Sequence, residues 1–345
     1  MAYAPIWKDR YVTLATSGNS AAFEIRTGSS SGPVIYTGTA YPRPGETDIV
    51  AKINDVCADY LRHTFPAPGQ RFTASAISET FVTLAGGVQK DSVDFVNDWT
   101  YDRAGTFSSG MLLSDPVRHL LDPRQLFIFS VLEGNASVNV TLYFADGTTS
   151  TVVVPIATTA DFNANDFSDD FADDFAIQDL GSRPGTGQID LSQFSNLVAV
   201  KVKGKRWEVA RDTCARFVVY YVNALGGWDS LLLEGNHQRT DALTRHTMTT
   251  DYDNNAPMAR GRRDFIIERT PSWVLRTGWL ADDESLRMHH LLASVDVYLD
   301  DLADGVSYPV VLTDAEAPRK TYRTEGRRMV GYEFNAQLAQ ERVRR

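Results

Sequence analysis

The sequence predicts a mainly β, multi-domain protein with minor α content, made of β-sandwich modules and a small α+β unit at the N-terminus. Three observations carry this. Short runs of alternating apolar and polar residues recur between turn residues along most of the chain. One N-terminal segment, 48–63, carries the clearest helical period. The length, 345 residues, exceeds the roughly 100–200 of a usual domain, so two or three domains are expected.

The first unit spans 1–66. Tyr11–Leu14, Ala22–Ile25 and Val34–Tyr36 alternate as strands around the soft turn Gly28-Ser-Ser-Ser-Gly-Pro33. In Asp48–His63 the apolar residues Ile49, Ile53, Val56, Cys57, Tyr60 and Leu61 form one stripe at helical spacing. Thr47 or Asp48 suits the cap, and Pro66 and Pro68 suit the stop. Between 67 and 202 the candidate strands are Phe81–Leu84, Ser92–Val96, Gln125–Leu132, Ser137–Phe144 and Thr149–Pro155. Asp146-Gly147 supplies the positive φ of a tight hairpin turn between the last two. That spacing predicts a β-sandwich.

The segment 157–190 interrupts it. Phe167, Phe171 and Phe175 recur every fourth residue among aspartates, and eight Asp against one Arg give this insertion a charge of −7. An exposed insertion or linker, a phenylalanine stripe that orders on a partner, and a calcium site are all open readings, although the spacing lacks the Asp-x-Asp-x-Asp-Gly turn. A C-terminal β-rich module, 203–345, follows. Arg216–Val222 and Ser230–Leu233 flank a turn containing Gly226, Gly227, Trp228 and Asp229. A short helix covers 282–292, and Val295–Leu299, Tyr308–Leu312 and Gly331–Ala336 close the chain as strands.

Charge and composition narrow the function. Thirty-four Lys and Arg against 44 Asp and Glu leave a net charge of −10, which disfavours nucleic acid and anionic membrane surfaces as partners. The longest apolar run, Phe217–Val222, is six residues, far short of a membrane span. Met1–Arg10 has no secretion-type apolar core. Cys57 and Cys214 sit among apolar residues and read as reduced and structural.

Catalytic chemistry is poorly represented. Gly28-Ser29-Ser30-Ser31-Gly32 matches Gly-x-Ser-x-Gly, but a strand follows it where a nucleophile elbow needs a helix. The six histidines show no His-Glu-x-x-His spacing, neither cysteine lies in Cys-x-x-Cys, and no phosphate-binding glycine loop is present. The carboxylate pairs Asp282-Asp283 and Asp300-Asp301 fall at helix-start and turn positions; a glycosidase pair from distant strands stays open. The expectation is therefore no enzyme, no cofactor and no metal. Trp99, Trp228, Trp273 and Trp279 stand near loops and read mainly as core or turn anchors, with sugar stacking as the alternative. The basic tail, 316–345, carries eight Lys and Arg against four Glu; with Arg327, Arg328, Arg344 and Arg345 it opposes the acidic insertion in sign. Such segregation suits contacts between copies of one chain, and equally an intramolecular pairing.

A set of local patterns adds a resemblance. Tyr36-Thr-Gly-Thr-Ala-Tyr-Pro42, Ile53-Asn-Asp-Val-Cys-Ala-Asp-Tyr-Leu61, Asn97-Asp-Trp-Thr-Tyr101, Leu113-Ser-Asp-Pro116 and Asp122-Pro-Arg-Gln125 occur in this order. Tyr220-Tyr-Val-Asn-Ala-Leu-Gly-Gly-Trp-Asp229, Tyr308-Pro-Val-Val-Leu-Thr-Asp314 and Gly331-Tyr-Glu-Phe334 complete it. The order resembles structural tail and baseplate proteins of tailed bacteriophages and prophages of Bacteroidetes hosts. The resemblance implies β-sandwich modules in a symmetric ring of copies around a tail axis, meeting tail-tube, baseplate or connector proteins. It implies location in the virion tail after assembly in the host cytoplasm, and carries no catalytic residue. The Asp/Phe insertion lies outside the shared pattern. A carbohydrate- or receptor-binding β-sandwich is the alternative function.

Overall fold

The computed structural model describes residues 3–61, 78–97, 111–114, 119–132, 137–156, 185–210, 215–249, 262–282, 284–314, 319–324, 327–339 and 342–344. Among the described residues it is mostly strand, arranged in several sheets, with two short α-helices. The chain divides into two compact units. The first is Met1–Arg211 with Tyr221–Ser230, and the second is Asp212–Tyr220 with Leu231–Arg345.

The first unit opens with a five-stranded sheet in the order Tyr3–Pro5, Val88–Val96, Ser78–Ala85, Ala21–Thr27 and Val34–Ala40. It therefore extends past residue 66. Ala85-Gly86-Gly87-Val88 closes the hairpin between Ser78–Ala85 and Val88–Val96 with both glycines at positive φ (57° and 77°), the backbone that a tight β-hairpin requires. The expected helix over 48–63 is corrected. Ile49–Lys52 is a strand paired antiparallel with Tyr11–Ala15, and the α-helix covers only Asn54–Ala58. Ile49, Ala51 and Ile53 are buried while Val50 and Lys52 are not, a period of two; the spacing of Ile49 and Ile53 fits either period, and pairing with Tyr11–Ala15 decides it. Phe81, Phe95, Ile25, Ile49, Ile53 and Cys57 meet in the core of this part.

A β-sandwich follows, as the turn spacing predicts. One sheet runs Thr149–Pro155, Ser137–Phe144, Leu197–Val202, Lys205–Val209 and Leu120–Leu121; the other runs Gly185–Asp190, Leu126–Leu132 and Met111–Leu112. Phe127, Phe129 and Ile189 from one sheet pack on Val140, Leu142, Val200 and Trp207 from the other, with Phe127 edge-on to Trp207 at 5.0 Å. Asp146-Gly147 turns the hairpin as expected: Gly147 has φ 84°, and the Asp146 carboxylate accepts from the Thr148 N–H at 2.9 Å. The insertion expected over 157–190 is corrected at its end, where Gly185–Asp190 is a sandwich strand paired with Leu126–Leu132; residues 157–184 lie outside the described residues.

The second unit contains most of a ten-stranded sheet whose main path is Trp228–Leu233, Phe217–Val222, Val297–Asp301, Val306–Leu312, Arg327–Leu338, Arg262–Arg276 and Gln238–Thr249. Phe217–Val222, the apolar run, is buried along its whole length, as a central strand should be. The expected helix over 282–292 forms as a 3-10 turn, Glu284–Leu286, leading into an α-helix, Arg287–Ala293. The Glu284 carboxylate reaches back to the Ala281 N–H at 3.0 Å.

Candidate assembly surface

The turn expected at Gly226, Gly227, Trp228 and Asp229 is a buried fastener within the first unit, with Gly226 and Gly227 in the turn itself and Trp228 and Asp229 opening the strand Trp228–Leu233. The Asn223 amide oxygen accepts from the Leu225 and Gly227 N–H groups at 2.9 and 3.1 Å. Its Nδ2 donates to Asp229 at 2.6 Å and to the Leu113 carbonyl at 3.1 Å. Ser114 Oγ donates to the other Asp229 oxygen at 2.6 Å, and Lys205 Nζ donates to Ser114 at 2.8 Å. Gly226 sits at φ +81° with the Asn97 carbonyl 2.1 Å from where a Cβ would stand; for Gly227 the Leu113 carbonyl is 2.0 Å from that point. Two glycines are required because the loop lies directly on neighbouring backbone. A buried carboxylate with this many hydrogen bonds holds the loop in one shape.

The titratable groups singled out from sequence go to separate structural tasks. Asp300 and Asp301 are consecutive in the strand Val297–Asp301, so their side chains leave on opposite faces. Asp301, nearly fully buried, takes a bidentate contact from Arg216 at 2.8–3.2 Å and the N–H groups of Ala303 and Asp304. Asp300 accepts from Ser307 at 2.9 Å; burial pushes its carboxyl above the usual range, Ser307 opposing and the Asp301 charge adding. His237 lies between the Leu233 carbonyl and the Arg276 N–H, 3.3 Å from each, and edge-on to Phe217 at 5.1 Å. Burial pulls it below its ordinary value, and the charges of Arg276 and Arg216 lower it further against the Leu233 hydrogen bond. Cys57 is fully buried and its thiol is pushed up to about 12 by that burial, which keeps it protonated and inert. Cys214 lies outside the described residues.

Ser30 lies in a tight connection between the antiparallel strands Ala21–Thr27 and Val34–Ala40, which supplies no strand-to-helix elbow. A shallow depression lies on the same hairpin away from this connection, lined by Phe23, Glu24, Gly38, Thr39, Leu84 and Gly86. Trp228 and Trp273 are buried and Trp279 is about half exposed; Trp99 lies outside the described residues. Among the described residues no group of three His, Cys, Asp or Glu is arranged to hold a metal ion, and no helix is long and apolar enough to cross a membrane.

The surface that stands out is a ribbon in the second unit. Gln238–Thr249, twelve residues, pairs antiparallel with Arg262–Arg276, fifteen residues. Every residue from Gln238 to Met248 is exposed, on both faces of the strand. A strand covering a core buries alternate residues, as Val297–Asp301 does in the same sheet. Gln238–Thr249 is also the end of the sheet's main path, so one long edge of backbone N–H and C=O groups faces outward. Its register is held by ion pairs: Arg269 to Asp241 at 2.5 Å and Arg245 to Asp264 at 2.7 Å, both exposed. Leu243 lies between them, 52% exposed. On the opposite edge Arg342–Arg344 adds a short strand to Ile267–Arg269.

The residues expected to make contacts are placed unevenly. Arg344 stands on that added strand, opposite Ile267 in register. Arg327 and Arg328 begin the strand Arg327–Leu338, opposite Thr324 and Arg323. Phe167, Phe171, Phe175 and Arg345 lie outside the described residues. The ribbon itself was missed in the sequence, since its first strand is polar on both faces and offers no apolar alternation. Its signal is a β-branched one: Thr240, Thr244, Thr247 and Thr249 in a stretch without glycine or proline. Compared with known proteins, the chain matches no family model, no curated protein and no solved structure.

Proposed function

We propose that this chain is a structural subunit of a phage tail, a distal-tail, baseplate or tail-connector ring component that acts through protein–protein contacts. Its partners are copies of itself and neighbouring tail proteins, and its place is the virion tail after assembly in the host cytoplasm. One observation carries the reading: a ribbon whose first strand, Gln238–Thr249, is exposed on both faces from Gln238 to Met248 and stands at the end of its sheet's path. An uncovered edge of that length is an aggregation hazard for a free monomer and an asset for a subunit that meets partners. The order of sequence patterns, which resembles that of phage tail proteins, supports the tail, and the opposite charges of the insertion and the basic tail suit contacts between subunits. A sugar-binding module would use exposed aromatic platforms; Trp228 and Trp273 are core residues and cannot serve, whereas Trp279 and Tyr41 are exposed.

The test is size and symmetry. Light scattering after gel filtration, with negative-stain images of the same fractions, should show closed rings of the purified chain, alone or with its tail neighbours. A chain that stays monomeric at high concentration and forms no ring with those neighbours contradicts the proposal.

A further inference from the structure

We propose that two copies of this chain join edge to edge along Gln238–Thr249, antiparallel, in a register centred on Leu243. The proposal rests on the reading of the chain as an assembling subunit and names one surface, its occupant and its register. The occupant follows from charge. In a two-fold antiparallel pairing centred on Leu243, that residue faces its own copy, and Asp241 faces Arg245 on both sides of the axis. Further out, Thr240 faces His246 and Arg239 faces Thr247, so like charges never oppose. Neighbouring registers lose this match. Centring on Ala242 sets Arg239 against Arg245, and centring on Thr244 leaves Asp241 opposite Thr247.

The pairing builds on contacts already in place. Within one chain Asp241 accepts from Arg269 with one oxygen while Arg239 stands 3.8 Å from the other, and Arg245 donates to Asp264. A carboxylate has two oxygens and a guanidinium five donors, so both groups can serve a second partner. The sequence Arg269, Asp241, Arg245 of the copy, Asp264 of the copy then alternates in sign across the junction. Asp241, Leu243 and Arg245 are two residues apart and share one face, which places an exposed leucine pair between two ion pairs. The outward backbone groups gain the ladder they lack at a free edge. The contact is isologous, so a ring needs a second, heterologous surface elsewhere.

Cysteine placement reads the register in the full-length chain. Residues directly opposed in an antiparallel pair have Cα atoms about 4.5–5.5 Å apart, within disulfide range, while diagonal neighbours at about 7–8 Å fall outside it. Leu243→Cys should form a disulfide-linked dimer under mild oxidation. Ala242→Cys and Thr244→Cys should each link poorly alone and well when mixed. Asp241→Arg should weaken dimerisation at least tenfold and Arg245→Asp likewise; the double charge swap restores opposite signs across the junction while setting like charges beside Arg269 and Asp264 of the same chain, so it should recover part of the loss, and that recovery excludes misfolding as the cause. Leu243→Cys linking no faster than Ala242→Cys, or dimerisation indifferent to Asp241→Arg, overturns the proposal. Rings in negative stain without the Leu243→Cys link overturn this contact and leave the tail reading standing. The link without rings upholds the contact and counts against the tail.

Discussion

Gly226 and Gly147 share nearly the same backbone, φ +81° and +84°, yet only Gly226 is pressed against other atoms. The left-handed conformation costs an ordinary residue about 1–2 kcal/mol, and the clash with Asn97 adds to that. Gly147→Ala should therefore destabilise the chain by about 1–2 kcal/mol, and Gly226→Ala by about 2–4 kcal/mol, in urea unfolding. Equal losses would mean that the close approach to Asn97 has no energetic weight. Asp300 gives a second residue-scale test. Its carboxyl is raised in the folded state, so the chain is favoured below the ordinary carboxylate range and loses that contribution as pH rises through the folded value. Asp300→Asn, which keeps an oxygen for Ser307, should raise the melting temperature at pH 7 and leave it unchanged near pH 3. An unchanged melting temperature at pH 7 would contradict the burial argument.

At the scale of elements, the ribbon begins beside His237, whose neutral ring fits between a carbonyl and an N–H. Protonating Nδ1 would set a second N–H against that of Arg276. With its folded value depressed, His237 contributes stability fully above the ordinary histidine range and loses it as pH falls through the folded value. Thermal melts should therefore fall between pH 7 and pH 5, with His237→Gln flattening the slope; equal slopes would remove His237 from the account. Legibility also divides at this scale. The hairpins at Asp146-Gly147 and at Gly226-Gly227 were readable because turn residues bracket apolar runs. Ile49–Lys52 was misread as helix because Ile49 and Ile53 satisfy both periods, and the partner that decides lies about forty residues away at Tyr11–Ala15. The Gly86-Gly87 pair carries the same turn signal between Phe81–Leu84 and Ser92–Val96. The ribbon was illegible for the opposite reason: a strand with no core beneath it has no apolar face to announce it.

For the whole molecule, the mainly β multi-domain architecture was legible in composition and turn spacing, while the candidate surface was not. The sequence directed attention to charge and aromatic runs, Phe167, Phe171, Phe175 and the basic tail, since those stand out as strings of letters. The structure draws attention instead to Gln238–Thr249, where the unusual property is what the strand fails to cover. The chain buries Phe217–Val222 completely and leaves Gln238–Met248 exposed, and the proposed role assigns the first to folding and the second to meeting a partner. Hydrogen exchange followed by mass spectrometry, on the purified chain labelled dilute and concentrated, tests this division most directly. The account predicts that amides in 238–249 become protected as concentration rises while those in 217–222 stay protected throughout. Exchange in 238–249 that stays fast at every concentration, and in assembled particles, would contradict it.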